Sequence, residues 1–212
     1  MELDFYLLMK LGGIAVLVFC GGQAVSKQLS IRPTRAFVIN FLAVAAGYLG
    51  STLWYMIQNG EYWGVTGSVL YGWILAGTAA VFVLTRAQKL PFIRYTDALA
   101  PWMLLTQFMN RLGCFDAGCC YGKLSSRGLI YPVQLFEAAF DLALFIFLLL
   151  KPKKKGQVTL YYFTAYPIAR FFLEFLRGDN QPALWFMTVP QVTSVVILAL
   201  VFAFHKRILS QT

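Results

Sequence analysis

Apolar residues in this chain come in long blocks rather than in alternation with polar ones. Seven blocks reach the roughly 20 residues that a helix needs to cross a bilayer. They run from Phe5 to Ala24, Ala36 to Ile57, Gly67 to Thr85, Tyr95 to Leu112, Val133 to Leu150, Thr159 to Leu176 and Trp185 to Phe204. In lipid each span must satisfy its own backbone hydrogen bonds, so the pattern predicts an all-α polytopic membrane protein with seven transmembrane helices. The spans take up about two thirds of the 212 residues, and the connections are too short for a separate soluble domain. Residues 1–212 are therefore expected to form a single transmembrane domain.

Composition narrows the class further. Hydrophobic residues make up 59% of the chain and charged residues only 13%, about half the charged share of an ordinary soluble domain. A disordered chain, a disulfide-built miniprotein and a soluble globule are all excluded. The net charge is +9, which in a soluble protein would suggest nucleic acid; here its distribution argues for topology instead, and no nucleic-acid partner is expected. Twelve basic residues fall in alternate connections and the tail: Lys27, Arg32, Arg35, Arg86, Lys89, Arg94, Lys151, Lys153, Lys154, Lys155, Lys206 and Arg207. Cytoplasmic loops retain such an excess, so the N-terminus is expected outside and the C-terminus inside. Glu2 and Asp4 precede the first block where a signal peptide would carry a basic segment, so that block is expected to be a permanent helix.

Ionisable residues inside a span are costly and usually face the bundle interior. In the sixth span Arg170, Glu174 and Arg177 are spaced to share one helix face. Gln134, Glu137 and Asp141 do the same in the fifth, and Asn110 with Arg111 closes the fourth. Such groups can pair to hold helices together, but most of them lie toward the predicted outward ends, where they can instead form a site.

The connection after Arg111 is the most unusual stretch. It places Gly113, Gly118 and Gly122 among Cys114, Cys119 and Cys120, and ends on Lys123. Glycine lets backbone turn tightly and approach a ligand closely, and arginine offers a planar fork of donors that matches phosphate. An anionic lipid head group is the expected ligand. The three thiols leave several chemistries open: a disulfide, a nucleophilic thiolate, or small packed residues. A metal would need Asp116 as fourth ligand, because the sole histidine, His205, lies at the other face; neither metal nor cofactor is expected.

These segments, in this order, resemble the bacterial prolipoprotein diacylglyceryl transferase family. Its signature Arg-x-Gly-Asn-Phe-x-Asn-Gly-Glu-x-x-Gly-Arg is similar to Arg111-Leu112-Gly113-Cys114-Phe115-Asp116-Ala117-Gly118-Cys119-Cys120-Tyr121-Gly122-Lys123. Tyr131-Pro132-Val133-Gln134-Leu135-Phe136-Glu137 resembles the family's His-Pro-Ser-Gln-Leu-Tyr-Glu. Arg170-Phe171-Phe172-Leu173-Glu174-Phe175-Leu176-Arg177 resembles its Arg-Phe-x-x-Glu-Phe-x-Arg. Gln191 falls where a Met-Gly-Gln turn opens the last helix, and Tyr6-Leu7-Leu8-Met9 is similar to a Tyr-Gly-Leu-Met motif. Where the family has His-Gly-Gly, with the histidine proposed as general base, this chain reads Tyr71-Gly72-Trp73.

The resemblance implies a seven-helix enzyme of the bacterial inner membrane, its active site toward the outer face, that moves diacylglyceryl from phosphatidylglycerol to the lipobox cysteine of a prolipoprotein. Arg111 and Arg170 would then grip the lipid phosphate and stabilise charge on the departing glycerol phosphate. Activation of the acceptor thiol would fall to Tyr71, to Glu137, or to a covalent relay through Cys114 or Cys119. Substrate contacts would come from Tyr6, Asn110, Gly113, Gly118, Gly122, Lys123, Gln134, Glu174, Arg177 and Gln191. Two other functions fit the same residues: a transporter of a thiophilic metal ion or small solute, and an inactive relative that binds lipid.

Overall fold

The computed structural model describes residues 4–59, 70–126, 128–150, 154–178, 182–184 and 186–210. Arg127, Lys151, Lys153, the first residues of the predicted third span and the side chain of Tyr71 lie outside the described residues. Seven helices stand among the residues described, so the fold is all-α, as the apolar blocks predict. They are α1 (Phe5–Leu29), α2 (Pro33–Asn59), α3 (Leu70–Ala87), α4 (Phe92–Asp116), α5 (Val133–Leu150), α6 (Gln157–Leu173) and α7 (Val189–Ser210). Among the described residues there is also a small antiparallel hairpin, Pro182–Leu184 against Met187–Thr188, just before α7. Three helical stretches, Phe5–Leu29, Pro33–Ile57 and Val133–Leu150, are long and apolar enough to cross a membrane.

Helix α4 is the hub, packed against α1, α5, α6 and α3. On one side Leu17, Val25, Ile39, Val81, Tyr95 and Leu99 form a buried apolar cluster; on the other Leu104, Leu144, Leu148, Tyr162 and Tyr166 form a second. Several polar groups inside these clusters are paired across helices, which offsets the cost of burying them. Asn40 donates to the Leu17 carbonyl at 3.2 Å, within a π turn of α1, and accepts from the Tyr95 hydroxyl at 2.6 Å. Thr106 of α4 reaches the Gly13 carbonyl of α1 at 2.9 Å.

The basic connections gather at one end of the bundle. Arg35 donates to the side chain of Gln88, and to its carbonyl at 2.9 Å, joining the α1–α2 turn to the α3–α4 turn. Gln28 donates to the Arg94 carbonyl at 3.3 Å in the same region. Asp97 of α4, 4% exposed, caps the start of α6: its carboxylate accepts from the Gly156 and Thr159 amides and from the Thr159 hydroxyl. A helix start leaves several amides without intrahelical partners, and a carboxylate there satisfies them while complementing the helix dipole. The connections α1–α2, α3–α4 and α5–α6 thus lie at the same end of α4. The cysteine-bearing connection lies at the opposite end of α4.

Candidate active site

At that opposite end, α4, α5 and α6 bring their charged residues together. Glu137 of α5, its side chain 2% exposed, is held from two sides: Arg111 Nη2 of α4 lies 2.9 Å from its Oε1, and Arg170 Nη1 of α6 lies 3.0 Å from its Oε2. Tyr166, one turn before Arg170, donates its hydroxyl to Oε1 at 3.1 Å. The other Arg170 terminal nitrogen lies 3.2 Å from Glu174 Oε2, and Arg177 Nε stands 3.9 Å from the same oxygen. Thr188, where the hairpin meets α7, closes the set by donating to Glu174 Oε1 at 2.8 Å. The spacing that puts Arg170, Glu174 and Arg177 on one face is what makes this ladder. After Leu173 the chain tightens into a 3-10 turn, Glu174–Leu176, which carries Arg177 back toward Glu174.

Three guanidiniums, those of Arg111, Arg170 and Arg177, thus meet the carboxylates of Glu137 and Glu174. Arg170 Nε is buried without a hydrogen-bond partner. One turn deeper on α5, Asp141 is 0% exposed and neither of its oxygens accepts a hydrogen bond. Two neighbouring apolar clefts share Ile74, Tyr162 and Phe163 in their walls. The smaller one reaches Arg170 and Tyr166. A groove with apolar walls and a cationic end has the character of a phospholipid site.

The loop after α4 is stitched to this cluster through its backbone. The Lys123 amide donates to the Leu176 carbonyl at 2.7 Å, the Gly178 amide to Tyr121 at 3.1 Å, and the Gly122 amide to Tyr131 at 3.1 Å. Gly122 is buried where a Cβ would run into Val133 at 2.7 Å, so only glycine allows this approach. Gly118, at φ +65°, makes the turn out of α4. Gly113 lets α1 close on α4: a Cβ there would sit 3.2 Å from Met9 Cβ and 3.3 Å from the Tyr6 ring.

The Sγ atoms of Cys114, Cys119 and Cys120 all lie within 4.8 Å of one another, and all three thiols are free. The Cys119 amide donates to the Cys114 carbonyl at 3.1 Å, and Gln134 Nε2 donates to the Cys119 carbonyl at 2.7 Å, which ties the cysteines to α5. The three thiols differ in their chemistry. A hydrogen bond from Cys114, and then the positive charges of Arg177 and Arg111, bring the Cys120 thiol down to about 5 against the opposing effect of burial. Burial and the neighbouring Cys120 push Cys119 up.

Of the residues expected from the sequence, the structure brings Arg111, Glu137, Arg170, Glu174 and Arg177 into one network, and places Gln134, Cys114 and Cys119 beside it. Tyr6 packs against Gly113, two residues beyond Arg111 on α4, and Lys10 lies over the Tyr6 ring at 5.5 Å. Asn110 is half-buried in the last turns of α4, and the Lys123 side chain is exposed. Gln191 plays a different part: it accepts from the Thr188 amide at 3.0 Å, closing the start of α7 as the returning arm of a capping box does. Asp141 and Cys120 are visible in the sequence, on the Glu137 face and beside Cys119, but nothing there gives either a role of its own. Thr188 and Tyr166 join the site without a sequence signal; Tyr166 is one turn before Arg170, yet nothing separates it from the other aromatics of its span.

Comparison with known proteins agrees with the geometry. The family profile described as prolipoprotein diacylglyceryl transferase matches residues 1–206. A phosphatidylglycerol–prolipoprotein diacylglyceryl transferase 2 of Clostridium perfringens (strain 13 / Type A) is 32% identical over 202 residues, covering 81% of this chain and 78% of its own. Similar proteins of the same description occur in Clostridium tetani, at 28% identity over 85% of this chain and 84% of the relative, and in Dehalococcoides mccartyi (strain ATCC BAA-2266 / KCTC 15142 / 195), at 27% over 93% and 86%. Matched by the family profile over residues 1–206 and 32% identical to a relative of that description, the chain belongs to the prolipoprotein diacylglyceryl transferase family.

Proposed function

We propose that this chain transfers the diacylglyceryl group of phosphatidylglycerol to the cysteine thiol of a secreted prolipoprotein, working from within a bacterial cytoplasmic membrane. Its seven helices cross that membrane with the N-terminus outside, so that the basic connections face the cytoplasm and the charged cluster faces outward. The observation that carries the reading is Glu137 clasped between Arg111 and Arg170 at the end of an apolar cleft. Arg170 Nε, buried without a partner beside the smaller cleft, is a donor available to a phosphate oxygen. Glu137 and Glu174 fix the two arginines in advance, so no reorganisation is needed when charge develops on the leaving phosphate. The clefts shared by Ile74, Tyr162 and Phe163 take acyl chains.

In the reaction the acceptor thiol, as thiolate, attacks the glycerol carbon bonded to phosphate oxygen. The carbon–oxygen bond breaks, the electron pair leaves with glycerol phosphate, and a thioether remains. A covalent relay through Cys114 or Cys119 is disfavoured by the same chemistry, because a thioether formed on the enzyme is a poor leaving group. To test the reading, the purified protein is mixed with head-group-labelled phosphatidylglycerol and a lipobox peptide. Labelled glycerol phosphate and lipidated peptide are expected, and Arg111→Ala or Arg170→Ala should lower both by at least about 100-fold. Absence of turnover with any thiol acceptor, together with metal uptake into vesicles that requires Cys119 and Cys120, would replace the transferase by a transporter.

A further inference from the structure

The cysteine cluster has no part in gripping a phosphate, yet its geometry is tightly constrained. Two left-handed residues within three positions, Gly118 at φ +65° and Cys120 at φ +62°, curl the chain so that the three sulfurs converge. For Cys120, which carries a side chain, that conformation is rarely adopted and persists only where surrounding structure enforces it. Here the enforcement is visible: Cys119 is fixed to Cys114 on one side and to Gln134 on the other.

We propose that Cys114, Cys119 and Cys120 form a three-thiolate site for a thiophilic divalent cation of the zinc class, with an open fourth position that binds the acceptor's thiol. The inference rests on the transferase reading above, and it supplies the thiol activation that reading lacks. Zinc–sulfur bonds of about 2.3 Å in a tetrahedron set sulfurs about 3.8 Å apart. Sulfurs that already lie within 4.8 Å of one another need only small side-chain adjustments to reach that spacing. Among the described residues no histidine or carboxylate joins the three. Three protein ligands and one open position is the arrangement of catalytic rather than structural zinc. The expectation that a metal would need Asp116 as a fourth ligand is therefore replaced: the substrate provides that ligand.

Charge supports the same assignment. Three thiolates and a divalent cation sum to −1, and a bound acceptor thiolate brings the sum to −2. The guanidiniums of Arg177 and Arg111 stand beside Cys120 and offset it. Arg111 also holds Glu137, so the acceptor sulfur and the donor phosphate would be presented on two sides of one side chain. A thiol entering the open position loses its proton to water, because a coordinating thiol is deprotonated outright. The metal-bound sulfur then attacks the glycerol carbon, the glycerol phosphate departs with the carbon–oxygen electron pair, and the neutral thioether, a weaker ligand, leaves the cation. No oxidant or reductant is required.

The full-length protein in detergent, stripped with a chelator and titrated with Zn(II), should bind one ion per chain. Co(II) in its place should show a sulfur-to-metal charge-transfer band that shifts with a lipobox peptide but not with its serine analogue. Cys114→Ser, Cys119→Ser and Cys120→Ser should each weaken Zn(II) binding at least about 100-fold, with helix content and detergent-monodisperse elution unchanged as the folding control. If the stripped protein, shown to be metal-free, still lipidates the peptide at full rate, or if Cys120→Ser binds Zn(II) as wild type does, the metal site is overturned while the transferase reading stands. If the Co(II) band responds to the peptide thiol but phosphatidylglycerol is never consumed, the site stands and the transferase reading falls.

Discussion

Tyr166 and Arg111 converge on the same oxygen of Glu137, the hydroxyl at 3.1 Å and the guanidinium nitrogen at 2.9 Å. A carboxylate buried to this degree is tolerated only when its lone pairs are filled, and hydrogen bonds to charged groups contribute about 1.5–3 kcal/mol each. Tyr166→Phe keeps the ring stacked on Tyr162, whose centroid is 5.9 Å away, and removes only the donor. The variant should fold, unfold at a lower temperature in detergent, and lose activity through a looser Arg111. Glu137→Ala leaves two buried guanidiniums facing each other and should lower stability further, by about 3–5 kcal/mol. Equal thermal stability of the two variants would show that Glu137 is not the anchor described.

How much of this was legible in the chain depends on the link considered. Val133 to Leu150 was readable to the residue, because Pro132 and Lys151 bound an apolar run that only Gln134, Glu137 and Asp141 interrupt, all on one helix face. Helix α1 instead runs on from Ala24 to Leu29, since Gln23, Lys27 and Gln28 are polar yet fit a helix, and α7 begins at Val189 rather than Trp185 because the Thr188–Gln191 cap sets its start. In the site, the shared faces of Gln134, Glu137 and Asp141 and of Arg170, Glu174 and Arg177 follow from helical periodicity alone. Which arginine meets which carboxylate does not, because it depends on the relative rotation and height of three helices. The distinction of Cys120 from Cys114 and Cys119 was hidden for the same reason: it comes first from the Cys114 hydrogen bond that the loop's curl sets, and then from Arg177, a residue 57 positions away in sequence.

The contact between Gly113 and Tyr6 predicts a graded steric series. A Cβ at position 113 would lie 3.2–3.4 Å from Met9 Cβ, the Tyr6 ring and the Tyr6 carbonyl, tighter than usual but short of a clash. Gly113→Ala should therefore retain most activity. Gly113→Leu must push α1 off α4, and overpacking of this kind costs about 1–3 kcal/mol. Its activity should fall more than its stability, since Tyr6 is carried away from the end of α4 that bears Arg111. A leucine variant with wild-type turnover would mean that Tyr6 plays no part in the site.

At the far end of α6, Asp97 tests whether stability and chemistry can be separated. It lies about 20 Å from Arg170 along the helix, by 1.5 Å rise per residue from Gln157. Asp97→Ala leaves the Gly156 and Thr159 amides and the Thr159 hydroxyl without their acceptor in a buried position. Loss of a helix cap costs about 0.5–2 kcal/mol, and burial places this one at the upper end. The apparent melting temperature in detergent should drop by several degrees, while turnover per folded molecule below that temperature stays unchanged.

The cysteines should titrate apart once any bound metal has been removed. The Cys120 thiol, brought from 9.0 down to about 5 chiefly by the Cys114 hydrogen bond and then by Arg177 and Arg111, is a thiolate throughout the neutral range. Cys119 is shifted the other way and stays protonated there. In chelator-treated protein, alkylation by iodoacetamide, followed site by site through peptide mass spectrometry, should label Cys120 ahead of Cys119 at pH 6–7, with the Cys120 rate reaching half its plateau at pH about 5. Cys114→Ala removes the largest cause of the lowering and should move that midpoint upward, whereas Cys114→Ser, which keeps a donor, should move it less. A midpoint for Cys120 near the ordinary thiol value in the wild-type protein would mean that the arginine cluster and the cysteine loop do not communicate.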